Sequence, residues 1–169
     1  TSTWPRTSSL PERPSMRRTR FDQSPCPIAR VSDLLGDWWT PLILREAFLG
    51  RSRFEDLQGA LGVPRAILVR RLARLVDEGL LRKVLYEEHP PRHEYLLSEK
   101  GKAIFDVLAA MWRWGSDWLW EGGAPVALVD RETGQELWPV VVDEATGRRI
   151  DPGRVRLGRA RAPHPGRAR

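Results

Sequence analysis

Cysteine is nearly absent from this chain of 169 residues, which contains a single thiol, that of Cys26. One thiol excludes a disulfide within the chain and a zinc site built from several thiolates. Histidine is also scarce: His89 and His93 share one polar loop, and His164 lies near the C-terminal end. Because no set of His and Asp residues accompanies Cys26, a thiol enzyme is the weakest functional alternative. We therefore expect a protein that is not an enzyme.

Long hydrophobic runs are absent as well. No apolar segment approaches the roughly 20 residues of a membrane span, and no secretory signal pattern opens the chain. These absences predict a cytoplasmic protein with no membrane partner. Hydrophobic residues make up 41% of the sequence, which suffices for one compact domain with appendages but not for two domains of ordinary size.

Positive charge is concentrated at the two ends of the chain. The formal net charge is +6, yet residues 1–25 hold five Arg against two acidic residues, and residues 148–169 hold eight Arg against one Asp. The segment between them is therefore net acidic. Because residues 1–25 are rich in Pro, Ser and Thr, we predict a disordered basic arm there, and a disordered Arg-rich tail at 158–169. Overall basicity is thus weak evidence for nucleic-acid binding, which has to be judged from local patches.

One such patch lies on a helix predicted at residues 63–81. Leu68, Leu72 and Leu75 recur at the spacing of one helix face. Small or cationic side chains occupy the opposite face: Ala66, Arg70, Ala73 and Arg74, with Arg65 in the first turn. Such a face can lie close in the major groove of DNA, where guanidinium groups contact phosphates and guanine edges. The alternative is a solvated basic face.

The segments before this helix predict its partner in a helix-turn-helix. Helices are predicted at residues 28–35 and 40–49, with Thr40 as the N-cap of the second. A brief helix then ends at Leu61, and Gly62 provides the turn into the basic helix. Two short helices joined by a tight glycine-containing turn, the second of them bearing arginines, form the helix-turn-helix arrangement.

The segments after the basic helix predict a two-stranded ribbon. Strands are predicted at residues 81–86 and 94–97, joined by the proline-containing loop EEHPPRH. A ribbon directly after a DNA-contacting helix is the wing of a winged helix, and Arg92 would lie at its tip. The alternative is an ordinary surface hairpin.

A long helix is predicted from its N-cap, Ser98, to about Trp120. Its apolar side chains exceed what one small domain needs to cover: Ile104, Phe105, Leu108, Met111, Trp112, Trp118 and Leu119, with Trp114 and Trp120 in addition. Aromatic and Met enrichment marks the buried centres of interfaces, so we predict a subunit interface on this helix. The alternative is a helix of the intramolecular core.

The C-terminal extension, residues 122–157, contains an internal repeat: LVDRETGQ at 128–135 and VVDEATGR at 141–148. In each copy apolar residues flank a polar turn that ends in Gly, which predicts a short β-meander. Asp130 and Asp143 are more often solvated turn formers than cation ligands, so no metal is expected. Together with the tryptophan-rich helix, this extension supports the main alternative function, a protein-interaction module.

Several motifs, in this order, resemble one family: CPIARVSDLLGDWWTPLILRE from Cys26, RFEDL from Arg53, LARLVDEGLLRKVLYEEHPPRHEYLLSEKG from Leu72, and then the tryptophans of the long helix. With them the chain resembles HxlR-type winged-helix transcriptional regulators, relatives of the MarR group. The expected fold is mainly α with small β content. It comprises a winged helix-turn-helix domain with a long C-terminal dimerisation helix at 26–121 and the β-meander extension at 122–157, which is similar to a zinc ribbon without its cysteines.

The resemblance implies a homodimer that binds an operator in double-stranded DNA without a cofactor. Residues expected at the DNA are Arg53, Arg65, Ala66, Val69, Arg70, Arg74, Arg92 and His93. Residues expected at the dimer interface are Ile28, Val31, Phe105, Leu108, Met111, Trp112, Trp118 and Leu119. Cys26 matches a cysteine that senses electrophiles or oxidants in some members, so Cys26 is the redox-sensing candidate, and a small-molecule or electrophile effector is a further expected partner.

Three positions of the basic helix depart from the family pattern. Pro64 stands where a Ser usually opens the helix, Ala66 where a basic residue is usual, and Val69 where a small hydroxyl residue is usual. These replacements remove polar contacts to DNA. Arg65 and Arg70 are the expected substitutes.

Overall fold

The computed structural model describes residues 21–158. Its helices are α1 (Pro27–Leu35), α2 (Trp39–Phe48), α3 (Phe54–Leu61), α4 (Arg65–Asp77), α5 (Glu99–Lys102) and α6 (Phe105–Trp118). Its strands are β1 (Leu81–Glu87) and β2 (Arg92–Leu97), between α4 and α5, and β3 (Leu128–Val129) and β4 (Glu136–Leu137), after α6. The fold is therefore mainly α with small β content, as predicted. Most of the predicted arm and tail lies outside the described residues.

Helix α4 is shorter at both ends than the helix predicted at residues 63–81, and Pro64 is its N-cap. Leu68, Leu72 and Leu75 are fully buried, so one face of the helix is dry. The carbonyl oxygen of Pro64 accepts a helical hydrogen bond from the Leu68 N–H at 3.0 Å. At the other end Gly79 has φ +72°, a left-handed conformation that suits Gly and turns the chain toward β1.

The N-terminus of α2 is capped by Asp37, and the prediction of Thr40 as its cap is wrong. Asp37 Oδ1 accepts hydrogen bonds from the N–H groups of Trp39, at 3.0 Å, and Thr40, at 2.9 Å. Asp37 Oδ2 accepts the Thr40 hydroxyl at 2.6 Å. Asp and Thr are both favourable caps, and Thr40 is buried inside the first turn of the helix. Asp37 therefore holds the start of α2.

The core lies where α2, α3, α4 and the start of β1 meet. In the described residues it consists of buried apolar side chains: Ile43, Leu44, Leu57, Val63, Leu68, Leu72, Leu75, Leu80 and Leu81. Half-buried side chains from α1, β2 and α6 pack against it, among them Leu34, Tyr95 and Leu108. The outer faces of α4 and α6 do not take part.

Strands β1 and β2 form the predicted wing as an antiparallel hairpin, with Leu81 opposite Leu97 and Leu85 opposite His93. The segment before α3 joins this hairpin, because Arg53 forms a bridge with Glu94. These pairings fix the wing against the start of α3.

The predicted single helix from Ser98 to Trp120 is divided into α5 and α6. Ser98 caps α5, since its hydroxyl accepts the Gly101 N–H at 3.0 Å. At residues 103–104 the backbone forms a turn, and the Ile104 N–H bonds the Gly101 carbonyl three residues back. Gly101 packs so closely that a Cβ there would lie 2.1 Å from the Leu80 carbonyl oxygen. That contact packs α5 against Leu80, directly before β1.

The extension forms two short hairpins, one for each copy of the repeat. In the first, Leu128 pairs with Leu137 across β3 and β4, and in the second Val142 pairs with Arg149. Trp138 joins the extension to α6, with its ring centroid 5.6 Å from that of Trp112. Among residues 21–158, no helix is both long and apolar enough to cross a membrane.

Candidate nucleic-acid interface

The outer face of α4 is an open surface of small and cationic side chains. Arg65, Ala66, Val69, Arg70 and Ala73 are all exposed. The spacing of three or four residues places Ala66, Val69, Arg70 and Ala73 on one side of the helix. Because alanine and valine project little, a surface that meets this face can approach the helix backbone closely. We call these five residues the outer face.

Aromatic rings hold two of the predicted arginines. The guanidinium carbon of Arg65 lies 4.6 Å from the centroid of the Phe54 ring, in the first turn of α3. The guanidinium carbon of Arg53 lies 4.5 Å from the centroid of the Tyr86 ring, on β1. A guanidinium stacked on a ring keeps its N–H edge free for oxygen or nitrogen acceptors. Stacking therefore restricts both arginines to the region around the start of α3 without occupying their donors.

Arg74, predicted on the open face, lies instead toward α1. One of its guanidinium nitrogens donates to the Asp33 carbonyl oxygen at 2.9 Å and to Asp33 Oδ2 at 3.0 Å. The Arg74 side chain is 25% exposed and that of Asp33 is 7% exposed. Next to it Arg71 pairs with Asp37 Oδ2 at 3.2 Å. We therefore place Arg74 with these ion pairs and not on the outer face.

The wing carries exposed cations on both strands. Arg92 pairs with Glu87 at 3.3 Å, but both side chains are exposed, so water screens the pair and another anion can displace Glu87. His93 is half-buried opposite Leu85. Arg82 and Lys83 on β1 are exposed cations that lie outside the predicted set. Arg82 and Lys83 are adjacent in β1, so their side chains point to opposite faces of the hairpin. This alternation could have identified one of the two as a cation on the DNA-facing side of the wing.

Exposed apolar side chains also lie on α6 and on α1. Large apolar side chains of the predicted interface are exposed: Ile28, Phe105, Met111, Trp118 and Leu119. Val31, Leu108 and Trp112 are half-buried. Phe105 also packs edge-on against Phe48, with ring centroids 5.2 Å apart. The predicted set therefore divides into exposed residues and residues that already contact other parts of the chain.

Cys26 lies immediately before α1 and is exposed. Its N–H donates to the Ser24 hydroxyl at 3.2 Å. The Arg30 guanidinium donates to the Ser24 carbonyl oxygen at 2.6 Å. The thiol is thus accessible at the N-terminal end of α1, beside a turn that Arg30 fixes.

The two turns of the extension are closed by Asp–Thr hydrogen bonds. Asp130 Oδ1 accepts the Thr133 N–H at 2.7 Å and the Thr133 hydroxyl at 2.9 Å, and these bonds keep the pKa of Asp130 below its usual value. Asp143 and Thr146 repeat the arrangement at 2.9 and 2.7 Å. Within residues 21–158, no three His, Cys, Asp or Glu side chains are grouped so that they could hold a metal ion.

The chain is similar to known proteins. Residues 34–122 match the family model described as HxlR-like helix-turn-helix. The chain is 38% identical over 131 residues to an uncharacterised HTH-type transcriptional regulator of Mycobacterium tuberculosis, which covers 74% of this chain and 83% of that protein.

Two solved structures are also similar to this chain. One is PA1607, described as a candidate transcription factor, at 36% identity and a TM-score of 0.76 over 84% of this chain and all of that one. The other is a candidate transcription factor from Pseudomonas aeruginosa, at 33% identity and a TM-score of 0.62 over 83% of this chain and 97% of that one. Residues 1–121 are too few to make up 83% of the chain, so both structural alignments include part of the region after residue 121 that contains the extension.

Proposed function

Since this chain belongs to the HxlR-like helix-turn-helix family and is a transcriptional regulator, we propose that it binds its operator as a homodimer through the outer face of α4. In this proposal α4 lies in the major groove of each half-site. The wing contacts the neighbouring backbone. The residues 26–121 form the unit that binds DNA and dimerises, and the extension is an addition to it.

The observation that carries this proposal is the separation of side chains around α4. Its leucines are buried, whereas Arg65 and Arg70 are exposed beside Ala66 and Ala73. Cations next to small side chains suit a groove, because the helix backbone can approach the base edges while guanidinium groups reach phosphates or guanine. The Phe54 ring holds the Arg65 guanidinium beside this face.

The wing contributes contacts that do not depend on base sequence. Arg92 is held by a screened surface pair, and exchanging Glu87 for a phosphate would replace one exposed anion by another. Arg53, stacked on Tyr86, lies where the wing meets α3. We propose that both residues fix the register of the protein on the duplex and that Arg70 supplies base preference.

Dimerisation is proposed from the exposed apolar surface of α6 and α1. Trp118 is 73% exposed and Ile28 is 71% exposed. Met111 and Leu119 are exposed apolar side chains as well. Exposed large apolar side chains in such number favour association, because a second copy removes them from water. Two-fold symmetry would then present two copies of α4 to half-sites about one helical turn apart.

The proposed effector site is the exposed thiol of Cys26. The thiol is exposed directly before α1, so oxidants and electrophiles can reach it. Because the chain has no second cysteine, oxidation leads to a link between subunits or to a mixed disulfide, and electrophiles form an adduct. Any of these products lies at the N-terminal end of α1, a helix of the proposed dimer interface.

Selection of duplexes from a random DNA library with the full chain tests the proposed function. The enriched sequences should contain two related half-sites with centres about 10 base pairs apart, and binding should weaken steeply as salt is raised. Analytical ultracentrifugation of the complex should give two chains for each duplex. Failure to enrich any sequence, or one chain for each duplex, would contradict the proposal.

A further inference from the structure

Two arginines of α4 face away from the proposed DNA surface and bind acidic residues before α2. Arg74 binds Asp33 in the last turn of α1, and Arg71 binds Asp37 in the connection between α1 and α2. The side chains are 25% and 7% exposed in the first pair and 15% and 9% exposed in the second. Pairs that water reaches so little are sensitive to loss of one partner, unlike exposed surface pairs.

Both acidic residues have a second structural connection. Arg74 also donates to the Asp33 backbone carbonyl, one of the carbonyls that the end of a helix leaves without an intrahelical partner. Asp37 accepts the N–H groups of Trp39 and Thr40 and so caps α2. The end of α1, the start of α2 and the concealed side of α4 therefore meet at one joint, which we define as Asp33, Asp37, Arg71 and Arg74.

We infer that Arg71 and Arg74 are positioning residues for DNA binding: through the joint they hold α4 at the orientation set by α1 and α2. This inference rests on the proposed function, since it concerns the same recognition surface. The outer face lies on α4, whereas the wing contacts α4 through β1 and is also bridged to the segment before α3. Both must meet one duplex together, so a small rotation of α4 about its axis moves Arg70 relative to Arg92.

The sign of one substitution separates positioning from direct contact. Asp33→Asn removes a negative charge and weakens the hold on Arg74. If Arg74 contacts DNA, or if only net charge matters, this change strengthens binding, because a cation is released or an anion is lost. If Arg74 positions α4, the same change weakens binding to the selected duplex, although the protein has become more positive.

The test measures the affinity of the full chain for a duplex obtained by selection, and for a shuffled duplex, by fluorescence anisotropy at several salt concentrations. Variants are Asp33→Asn, Arg74→Gln, the double variant and Arg74→Lys. We expect Asp33→Asn and Arg74→Gln each to weaken binding to the selected duplex roughly tenfold. The double variant should bind about as weakly as either single one, and Arg74→Lys, which keeps a cation beside Asp33, should recover part of the loss.

Salt dependence and thermal unfolding serve as controls. A positioning residue makes no phosphate contact, so the slope of log affinity against log salt should stay at the wild-type value in Arg74→Gln. Thermal midpoints verify that each variant is folded at the assay temperature. If Asp33→Asn is unfolded there, the affinities of Arg74→Lys and Arg74→Gln are compared instead, and tighter binding by Arg74→Lys with an unchanged salt slope supports the positioning role.

The outcomes distinguish this inference from the proposed function. Tighter binding by Asp33→Asn, or a slope about one unit shallower in Arg74→Gln, would overturn the positioning role while leaving DNA binding intact. Absence of any wild-type preference for the selected over the shuffled duplex would instead remove the proposed function. Arg70→Ala, outside the joint, serves as the contact control.

Discussion

The body of the molecule, residues 27–118, and the extension after it are stabilised in different ways. In the body, buried leucines from several helices and β1 form one core. In the extension most of the large apolar side chains are exposed, among them Val126, Val140, Val141 and Val142. The hairpins there are held by turn hydrogen bonds and by the contact of Trp138 with α6. A sequence repeat with apolar flanks thus folds without a core of its own.

The difference indicates which substitutions act on the fold and which act on one surface. Removal of a side chain from the core should destabilise the whole body, since its contacts come from many elements. Removal of an exposed valine from the extension should change little, because no cavity is formed. The two regions also differ in their cations: those of the outer face lie on a helix fixed by the core, whereas Arg148 and Arg149 lie in the second hairpin.

The largest effect is expected for Leu72→Ala in the centre of α4. Leu72 is fully buried, so the free energy of unfolding should fall by about 2–5 kcal/mol, through loss of apolar burial and the cavity left behind. The matched change in the extension, Leu137→Ala, removes a 45% exposed side chain and should cost less than about 1 kcal/mol. Urea titration followed by circular dichroism measures both. Equal losses would show that Leu137 belongs to a packed core in the extension.

Next in size is Arg70→Ala, which acts on DNA binding and not on stability. Loss of a base contact should weaken binding to the selected duplex by about 1–3 kcal/mol and relax base preference at one position in each half-site. Arg148→Ala removes the same charge from the extension and is the matched control, expected to affect all sequences alike. Anisotropy titrations with single-base variants of the duplex measure both changes. Identical behaviour of the two variants would break the distinction between body and extension.

Trp138→Ala should release the extension from α6. It removes the ring that contacts Trp112 and the face on which Arg113 lies, 5.0 Å from the ring centroid, so the docking free energy should fall by about 1 kcal/mol. The indole signal of Trp112 in NMR spectra should shift, while DNA affinity stays unchanged. Val141→Ala, at an exposed position in the second hairpin, is the control. An unchanged Trp112 signal would mean that the extension is held elsewhere.

Arg92→Ala should have a smaller effect on affinity, of up to about 1 kcal/mol, because its present partner is an exposed carboxylate. Loss of one phosphate contact should weaken all duplexes similarly and lower the salt slope by about one. Glu87→Gln leaves the Arg92 cation in place and removes its competing carboxylate, so this variant should bind all duplexes more tightly. A change of base preference in Arg92→Ala would place the wing in contact with bases.

The smallest effect concerns acid and the first turn of the extension. Hydrogen bonds from Thr133 and Glu132 lower the pKa of Asp130, so its ionised form is favoured in the folded turn. The stabilisation is present above the unfolded value near 3.8 and is lost as pH falls through the lower folded value. Amide signals of the β3–β4 hairpin should therefore change below that pH. In Asp130→Asn this pH dependence should disappear; if it persists, another group titrates in the hairpin.

Much of the fold could be predicted because local signals agree with the packing. The spacing of Leu68, Leu72 and Leu75 indicated α4, and the structure confirms that their side chains are buried. The two predicted strands on either side of the proline-containing loop likewise indicated the wing, which β1 and β2 form. Here periodicity suffices, because each side chain faces the core or water according to its place in one element.

Features that depend on two elements could not be predicted in this way. Its angular position around α4 places Arg74 on the basic side of the helix. Its ion pair with Asp33 depends on the packing of α1 beside α4, which the sequence of α4 does not indicate. The packing of Gly101 on the Leu80 carbonyl involves a residue outside the predicted helix, so no spacing within that helix indicates it. Asp37 and Thr40 are equally suitable caps by composition, and the N–H groups of Trp39 and Thr40, which donate to Asp37, decide between them.

Methylation interference on the selected duplex tests most directly whether the outer face of α4 lies in the major groove. Dimethyl sulfate modifies guanine N7, which lies in the major groove, and adenine N3, which lies in the minor groove. We expect methylated guanines to block binding in two clusters about one helical turn apart, and the block at one guanine in each half-site to disappear in Arg70→Ala. Specific binding that guanine methylation leaves unchanged, or that only adenine methylation prevents, would contradict the placement of α4 in the major groove.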